Sequence, residues 1–323
     1  MIVLSHSKIR SWKSCPQKFY YREVEQLEPR LSPPALQRGS LIHSMIEFYY
    51  LNKDWKIPLK EFKKIWDELL EEEQDYYGGN LPEEAERMMK GYINKYKGYK
   101  EKPLLVEYSF RDNPIEIIPG IAFKGVIDLL LKNEKGTWLV EHKTHKKIPS
   151  EEERFLNMQT VIYVLVAQKL GYKVDGILWN YIRTKPPTIP KTLVKGGLSR
   201  AKDIDTDYDT YYQAIIQAGE NPDDYREELQ RTSRNEFYVR KYMPLSDRVI
   251  QGVIADIKVV AYQMDKLKNY PFRALNSMTC RMCSYKSICQ AEMLGLDSTL
   301  IKKFEFKIIE RKDDVKSEEE DQD

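Results

Sequence analysis

Apolar residues along the chain follow two different periods, and the change between them divides the sequence. Up to about residue 100 they recur every three to four positions, which predicts helices over residues 5–25, 35–51, 59–76 and 82–96. From Pro103 the spacing becomes strand-like, over residues 104–110 and 115–118. The pattern therefore predicts a helical N-terminal part followed by a β-rich part.

Residues 123–147 contain two apolar runs that predict a β-hairpin. A four-residue loop over residues 133–136, Asn-Glu-Lys-Gly, separates the two runs. If Lys132 faces Thr137 across that loop, the pairing places Asp128 directly opposite Glu141.

Side chains alternate between the two faces of a strand, so Lys143 shares a face with Glu141. Two carboxylates that face each other across neighbouring strands destabilise a sheet unless another group offsets their charge. A bound divalent cation would do so. The same residues also fit a surface hairpin with solvated charges, and the pattern alone leaves both interpretations open.

Two further polar residues precede the hairpin. His43 recurs at helical spacing with Leu36, Ile46 and Tyr50, on an apolar face, and this spacing alone is typical of a histidine packed in a core. Glu107 is a third carboxylate, in the strand predicted over residues 104–110. An adjacent strand could bring it beside Asp128 and Glu141, or it could be an outward polar residue on an edge strand.

A helix is predicted after the hairpin. Ser150 and Glu153 have the spacing of a capping box, which places the start of this helix at Ser150. Gln159 and Tyr163 are four residues apart and share one face. The other face is apolar enough to pack on a sheet, with Phe155, Val161, Ile162, Leu165 and Val166.

Beyond this helix, the sequence predicts one more core strand and then an elaboration on the core. The strand covers residues 174–182. The elaboration, over residues 185–267, contains a loop rich in proline and glycine, a helix over 205–230, a short strand over 236–243, and a long amphipathic helix capped by Ser246. The C-terminus is charged without apolar residues, which is typical of a disordered tail.

The four cysteines are split unevenly along the chain. Cys15 lies near the N-terminus, whereas Cys280, Cys283 and Cys289 form C-x2-C-x5-C. The N-terminus lacks the apolar segment of a secretory signal, so disulfides are not expected. Zinc sites usually arrange their ligands as two close pairs. A four-thiolate iron–sulfur cluster accepts a one-plus-three split, so the spacing favours a cluster and leaves zinc as the alternative.

Global charge does not indicate a nucleic-acid binder, because 52 basic and 50 acidic residues give a net charge of +2. Any DNA contact has to come from local clusters, for which Lys146, Lys147, Arg183 and Lys185 are candidates; each also fits ordinary solvated charge. No apolar run has transmembrane length, and the mean hydropathy of −0.60 favours an intracellular, cytoplasmic protein, in the host cytoplasm if the chain is viral.

Ile127-Asp128 and Glu141-His142-Lys143 resemble the signature of the PD-(D/E)XK nucleases, with Ile127 in place of the usual proline. The resemblance implies an α/β, restriction-endonuclease-like core with a central mixed β-sheet flanked by helices. It implies that Asp128, Glu141 and the backbone carbonyl of His142 bind Mg²⁺ or Mn²⁺. Lys143 would then orient the attacking water or neutralise charge in the transition state.

Three more features are similar to the RecB- and AddB-like branch of that superfamily and to the CRISPR-adaptation nucleases. There, a histidine placed like His43 approaches the metal, and a helix motif like Gln159 and Tyr163 contacts DNA near the active site. Four cysteines placed like Cys15, Cys280, Cys283 and Cys289 hold a [4Fe-4S] cluster. In that branch the cluster clamps the N-terminal helix to the C-terminal segment and closes the nuclease domain.

Together these features predict a DNA exonuclease of recombination, repair or phage DNA processing. It would act on single strands or on the ends of duplexes, with a further copy of itself or a recombination protein as partner. The alternatives are a non-catalytic DNA-binding or assembly subunit on the same scaffold, and a zinc-stabilised binding module. The predicted organisation is a helical N-terminal part (1–100), a catalytic core (101–185), a helical insertion (186–270), a cluster-binding segment (271–305) and a charged tail (306–323).

Overall fold

The structure is a computed structural model that describes residues 1–31, 33–146, 148–155 and 157–309, with Phe155 described by its backbone alone. The chain forms two compact units, each drawn from distant stretches of sequence. The larger comprises Pro34–Tyr108 and Ile127–Leu245. The smaller comprises Met1–Pro33, Ser109–Val126 and the chain from Ser246 onward.

The described residues contain ten strands and fourteen α-helices. The strands are β1 (Ile2–Leu4), β2 (Leu27–Pro29), β3 (Lys102–Ser109), β4 (Ile115–Ile118), β5 (Ile121–Phe123), β6 (Val126–Asn133), β7 (Gly136–His145), β8 (Gly176–Arg183), β9 (Tyr238–Pro244) and β10 (Phe306–Ile308). The helices are α1 (His6–Ser14), α2 (Pro16–Phe19), α3 (Pro34–Tyr50), α4 (Lys56–Asp67), α5 (Glu71–Tyr76), α6 (Leu81–Tyr96), α7 (Glu151–Phe155), α8 (Met158–Lys169), α9 (Tyr208–Gln217), α10 (Arg226–Thr232), α11 (Asp247–Leu267), α12 (Ser277–Arg281), α13 (Lys286–Met293) and α14 (Thr299–Glu305). A π-helical turn (Tyr20–Val24) follows α2, and a 3₁₀ turn (Pro222–Tyr225) precedes α10.

The larger unit is built on a five-stranded sheet of order β3-β6-β7-β8-β9. β6 and β7 are antiparallel, β7 and β8 are parallel, and β8 and β9 are antiparallel. The predicted central mixed sheet flanked by helices is therefore confirmed, and it is consistent with a restriction-endonuclease-like fold. β9 lies within the predicted insertion over residues 186–270, and it forms one edge of this sheet.

The β6–β7 hairpin has the predicted register, with Lys132 paired to Thr137. Its loop is shorter than predicted, because Asn133 and Gly136 also pair and leave two residues in the turn. The side chain of Asn133 accepts a hydrogen bond from the N–H of Lys135 at 2.9 Å, which satisfies the turn backbone locally. Gly136 has a φ of +133°, which a side chain would oppose.

α3 and α6 pack on one face of the central sheet. Their apolar residues form a single core with alternate residues of β6, β7 and β8: Leu41, Ile42, Met45, Ile46, Met88, Met89, Leu129, Leu131, Trp138, Val140, Leu178 and Ile182 are all buried there. Because strand residues alternate faces, the positions between them, including Glu141 and Lys143, belong to the opposite face. α8 packs against β7 and β8.

The smaller unit contains two small sheets. β5 pairs with β1 in parallel and with β4 antiparallel, and β10 pairs with β2 antiparallel. Ser246 caps α11 as predicted, since its side chain accepts the N–H of Val249. α11 packs against α1 and β1.

Four predicted helices differ from the structure. The helix over residues 5–25 is interrupted at Cys15, whose backbone is extended because Pro16 follows it. The Ser150–Glu153 capping box forms, but it caps the short helix α7, and the helix that carries Gln159 begins separately, capped by Asn157.

The third is the helix over residues 59–76, which is divided into α4 and α5. The fourth is the helix over residues 205–230. It is divided into α9, the 3₁₀ turn and α10, because Gly219 adopts a φ of +71° and Pro222 follows shortly after. Beyond residue 309, the charged tail lies outside the described residues.

Candidate active site

The point where β6 and β7 separate holds the Asp128 carboxylate. The paired residues of the hairpin end at Leu129 and Val140. Two residues past Val140, the N–H of His142 donates a hydrogen bond to Oδ2 of Asp128, the residue before Leu129, at 3.0 Å. A carboxylate thus occupies the acceptor position that a strand carbonyl would otherwise fill, and it is fixed to the β7 backbone.

His43 reaches the same point from α3. Its Nε2–H donates to the carbonyl oxygen of His142 at 3.0 Å, and its Nδ1 lies 3.7 Å from Oδ2 of Asp128. Burial lowers the pKa of His43, opposed mainly by the negative charge of Glu141. The imidazole is therefore suited to remain neutral, which is the form that binds metals.

Glu107 completes a group of possible metal ligands. One ligand atom from each of His43, Glu107 and Asp128 lies within 4.8 Å of the others. Glu107 has a φ of +43° although it lies within β3. Such a left-handed conformation is costly for a residue with a side chain and is concentrated at functional sites. The structure therefore brings the carboxylate that the sequence left open to the candidate site.

Glu141 is almost fully buried, with 1% of its surface exposed. Its Oε1 accepts a hydrogen bond from Nζ of Lys143 at 2.5 Å, whereas Oε2 is buried with no hydrogen-bond partner among the described residues. A buried carboxylate oxygen without a partner is unfavourable in a folded protein. Binding to a cation would satisfy it.

The electrostatics of the two carboxylates agree with this arrangement. Burial and then the negative charge of Asp128 raise the pKa of Glu141 to about 7. Burial raises the pKa of Asp128 to about 6, against the N–H of His142 and the positive charge of Lys143. Carboxylates that are destabilised in their charged form, close to each other and to a neutral imidazole, form a donor set that fits Mg²⁺ or Mn²⁺.

Two other predicted site residues lie on α8, which packs against β7 and β8. Gln159 and Tyr163 lie one turn apart on α8, and Tyr163 is buried. A role for both in contacting DNA stays a prediction.

The candidate DNA-binding residues have different surroundings. Lys146 and Lys185 are exposed, and Lys147 lies outside the described residues. The guanidinium of Arg183 makes two hydrogen bonds to the carboxylate of Asp205, at 2.8 and 2.9 Å.

A buried polar group next to the site was not predicted from the sequence. Asn180 has no exposed surface and contacts the ring of His142. Arg240, on the neighbouring strand, contacts Asn180 and a buried carboxylate, that of Glu101. The available signal was one polar residue in the otherwise apolar strand Ile-Leu-Trp-Asn-Tyr-Ile, since a buried polar residue requires a partner.

The four cysteines line one cavity of about 240 Å³ in the smaller unit, together with Tyr21 and Arg273. All four thiols are half-buried and free of disulfides. Burial raises the pKa of Cys283, and the nearby thiols of Cys15 and Cys289 add to this. Among the described residues, no three of the sulfur atoms lie within 4.8 Å of one another.

The helices among the described residues are too short or too polar to span a membrane.

Comparison with known proteins identifies the family of the chain. No curated protein matches the chain. A model of the PD-(D/E)XK nuclease superfamily matches residues 3–290, which is most of the chain and includes every carboxylate of the site. Members of this superfamily are generally nucleases that use divalent metals. The chain therefore belongs to the PD-(D/E)XK nuclease superfamily.

Proposed function

We propose that this protein is a deoxyribonuclease dependent on Mg²⁺ or Mn²⁺, and specifically an exonuclease. The observation that carries the proposal is the convergence of Asp128, Glu107 and His43 where the hairpin strands separate, beside the buried Oε2 of Glu141. Asp128, Glu141, His43 and the His142 carbonyl oxygen would hold the metal, with Glu107 as a further ligand.

Each residue has a separate task in this proposal. When bound, the metal supplies a Lewis acid that polarises the scissile phosphate and makes bound water a better nucleophile. The His142 N–H keeps one oxygen of Asp128 fixed, so that the carboxylate is preorganised. The Lys143 ammonium lies beside Glu141, where it can orient the attacking water or neutralise charge that develops on the phosphate.

Buried ligands favour binding of a cation over solvation of the empty carboxylates. Both Asp128 and Glu141 are desolvated, and the Coulomb interaction with a cation is stronger in such surroundings than in water. Gln159 and Tyr163 would position the DNA strand. The proposed substrate is single-stranded DNA or the ends of a duplex, in recombination, repair or phage DNA processing, as in the RecB- and AddB-like branch.

The test compares end-labelled linear DNA with covalently closed circular DNA, each with Mn²⁺, Mg²⁺ or a chelator. We expect the wild-type protein to degrade linear DNA from its ends when metal is present and to spare the circles. Asp128→Asn, which removes a charge at nearly constant shape, should be inactive on both. Cleavage of closed circles at the rate of linear DNA would exclude an exonuclease, and cleavage in excess chelator would exclude metal dependence.

The proposal includes a [4Fe-4S] cluster on Cys15, Cys280, Cys283 and Cys289. A tetrahedral zinc ion about 2.3 Å from each sulfur holds its sulfurs roughly 3.8 Å apart. The wider spread of the four thiols around one cavity fits a larger group better than a single ion. The cluster would tie the α1–α2 junction to α12 and α13 within the smaller unit.

Iron, sulfide and zinc analysis of protein purified without oxygen tests this part separately from catalysis. We expect about four irons per chain and visible absorption from thiolate-bound iron. One zinc per chain without iron would overturn the cluster and support a zinc-stabilised unit.

A further inference from the structure

A row of polar side chains crosses three strands of the central sheet beneath the candidate metal site. His142 on β7 is directly opposite Asn180 on β8, and Asn180 is directly opposite Arg240 on β9. Residues opposite each other in register point to the same face of a sheet. This is the face covered by α3 and α6, which contribute the hydroxyls of Tyr50 and Tyr92.

Arg240 anchors the far end of the row. Its guanidinium pairs with the carboxylate of Glu101 and donates to the hydroxyls of Tyr50, at 2.8 Å, and Tyr92, at 3.2 Å. It also lies 3.8 Å from the ring centre of Tyr96. A guanidinium with partners on several sides has one orientation, because its donors are fixed in a plane.

This orientation determines how Asn180 is turned. Nε of Arg240 is a donor, so the atom of Asn180 that faces it at 3.5 Å is the acceptor oxygen. The amide nitrogen of Asn180 then donates to the hydroxyl of Tyr92 at 3.2 Å and to Nδ1 of His142 at 2.6 Å. Nδ1 is therefore an acceptor, and the ring proton of neutral His142 is on Nε2.

The main chain of His142 lies at the candidate metal site. Its N–H donates to Asp128 and its carbonyl oxygen accepts from His43. The ring of His142 also lies 6.3 Å, centre to centre and nearly parallel, from the ring of Tyr50. A ring that is held on two sides restricts the rotation of its own backbone, and with it the direction of the carbonyl.

We propose that Asn180, oriented by Arg240, is a positioning residue that fixes the His142 peptide and so sets the affinity of the site for its metal. This inference rests on the proposed function, since it assigns the His142 carbonyl to the metal. The inference goes beyond the proposed function because it assigns a role in metal binding to residues of β8 and β9, up to two strands away from Glu141 on β7. A row that only stabilised the sheet would affect unfolding and leave metal affinity alone.

The test measures Mn²⁺ binding by calorimetry, without DNA, in the full-length protein and three variants. Asn180→Leu removes the hydrogen bond to His142 and should weaken Mn²⁺ binding by about 10- to 100-fold, the usual effect of removing such a support. Leu178→Ala is the matched control, because Leu178 is buried on the same strand and the same face. It should lower the unfolding temperature and leave the dissociation constant within about twofold of wild type.

The third variant, Asn180→Asp, keeps the size of the side chain but can only accept hydrogen bonds while ionised beside Arg240. The ring proton of His142 should then move to Nδ1, which restores the hydrogen bond between the His142 ring and residue 180. Mn²⁺ affinity should therefore stay close to that of the wild type. ¹⁵N spectra of the imidazoles report the tautomer directly, and only four histidines have to be assigned. The wild-type spectrum should place the His142 proton on Nε2.

Three results would overturn the inference: wild-type affinity in Asn180→Leu, an equal loss in Leu178→Ala, or a wild-type His142 protonated on Nδ1. A wild-type protein that binds neither Mn²⁺ nor Mg²⁺ would overturn the proposed function, and this inference with it. That outcome is recognised before any variant is compared, so the two failures are distinguishable.

Discussion

Nζ of Lys143 lies 2.5 Å from Oε1 of Glu141, and the two residues are two positions apart on the same face of β7. Of the two carboxylate oxygens of Glu141, Oε1 is thus paired, and Oε2 has no hydrogen-bond partner among the described residues. The lysine therefore occupies one side of a carboxylate whose other side is available to a cation.

This relationship predicts that cleavage and metal binding respond differently to Lys143. Lys143→Met should lower the rate of DNA cleavage by about 10²- to 10³-fold, the usual effect of removing one group that stabilises transition-state charge. Mn²⁺ affinity should stay the same or increase, because the ammonium repels the cation and competes for Glu141. Single-turnover cleavage and calorimetry measure the two effects.

Glu141→Gln is the comparison for Lys143→Met, and it should lose both properties. Cleavage by Lys143→Met at the wild-type rate would show that the lysine has no part in the reaction.

The raised pKa of Glu141 predicts how the metal-free protein responds to pH. Burial, and then Asp128, raise this pKa from 4.5 to about 7. Between these values the folded protein keeps a proton that the unfolded chain has lost, so the free energy of unfolding falls as pH rises. Glu141→Gln does not titrate, so its stability relative to wild type should increase from pH 4.5 to 7, by up to about 3 kcal/mol.

Urea unfolding in chelator at several pH values measures this difference. Glu134→Gln, at an exposed position in the hairpin turn, is the control for the loss of a negative charge. A constant difference between Glu141→Gln and wild type over this range would mean that Glu141 is charged throughout.

The hairpin and its register could be predicted from the sequence because both signals are local. Two apolar runs on either side of a turn at a known place lead to one pairing, in which Lys132 faces Thr137. The predicted length of the turn was wrong, because Asn133 and Gly136 continue the pairing and leave two residues in the turn. β1 and β5 could not be predicted, because three residues are too few to show a period.

The polar row and the role of Glu107 depend on contacts between distant segments. Asn180 and Arg240 are polar residues of two separate strands, and Arg240 is followed by a second polar residue, Lys241. Only the order of β7, β8 and β9 aligns Asn180 and Arg240 with His142. Glu107 was left open because nothing local says which strand lies beside β3. Its positive φ, which does indicate a special position, is a property of the folded backbone.

The conformation of Glu107 predicts that function and stability oppose each other at this residue. Glu107→Gly removes the side chain from a backbone with φ of +43°, which glycine adopts without strain. The free energy of unfolding of the metal-free protein should be unchanged or increase by up to about 1 kcal/mol. Mn²⁺ affinity should fall, because one carboxylate of the group is lost.

Chemical unfolding and calorimetry on the same samples measure both effects. Tyr108→Gly, at the next position of β3, where the backbone has no positive φ, should destabilise the protein instead. A clear loss of stability in Glu107→Gly would mean that contacts of the side chain outweigh the strain in its backbone.

The cysteine cavity predicts a loss of metal that is separate from the carboxylate site. Cys283 and Cys289 pack against the buried cluster of Tyr21, Leu27, Tyr285, Ile288 and Phe306. Cys283→Ser removes a thiolate, and we expect it to lower the iron content, the visible absorption and the yield of folded protein. Met282→Ser is the matched control, because Met282 is next to Cys283 and its side chain is 78% exposed. This variant should keep the iron content, the visible absorption and the yield of folded protein.

Asp128→Asn should also keep its iron while losing cleavage, since Asp128 belongs to the larger unit. Unchanged iron in Cys283→Ser would show that this thiol is not a ligand.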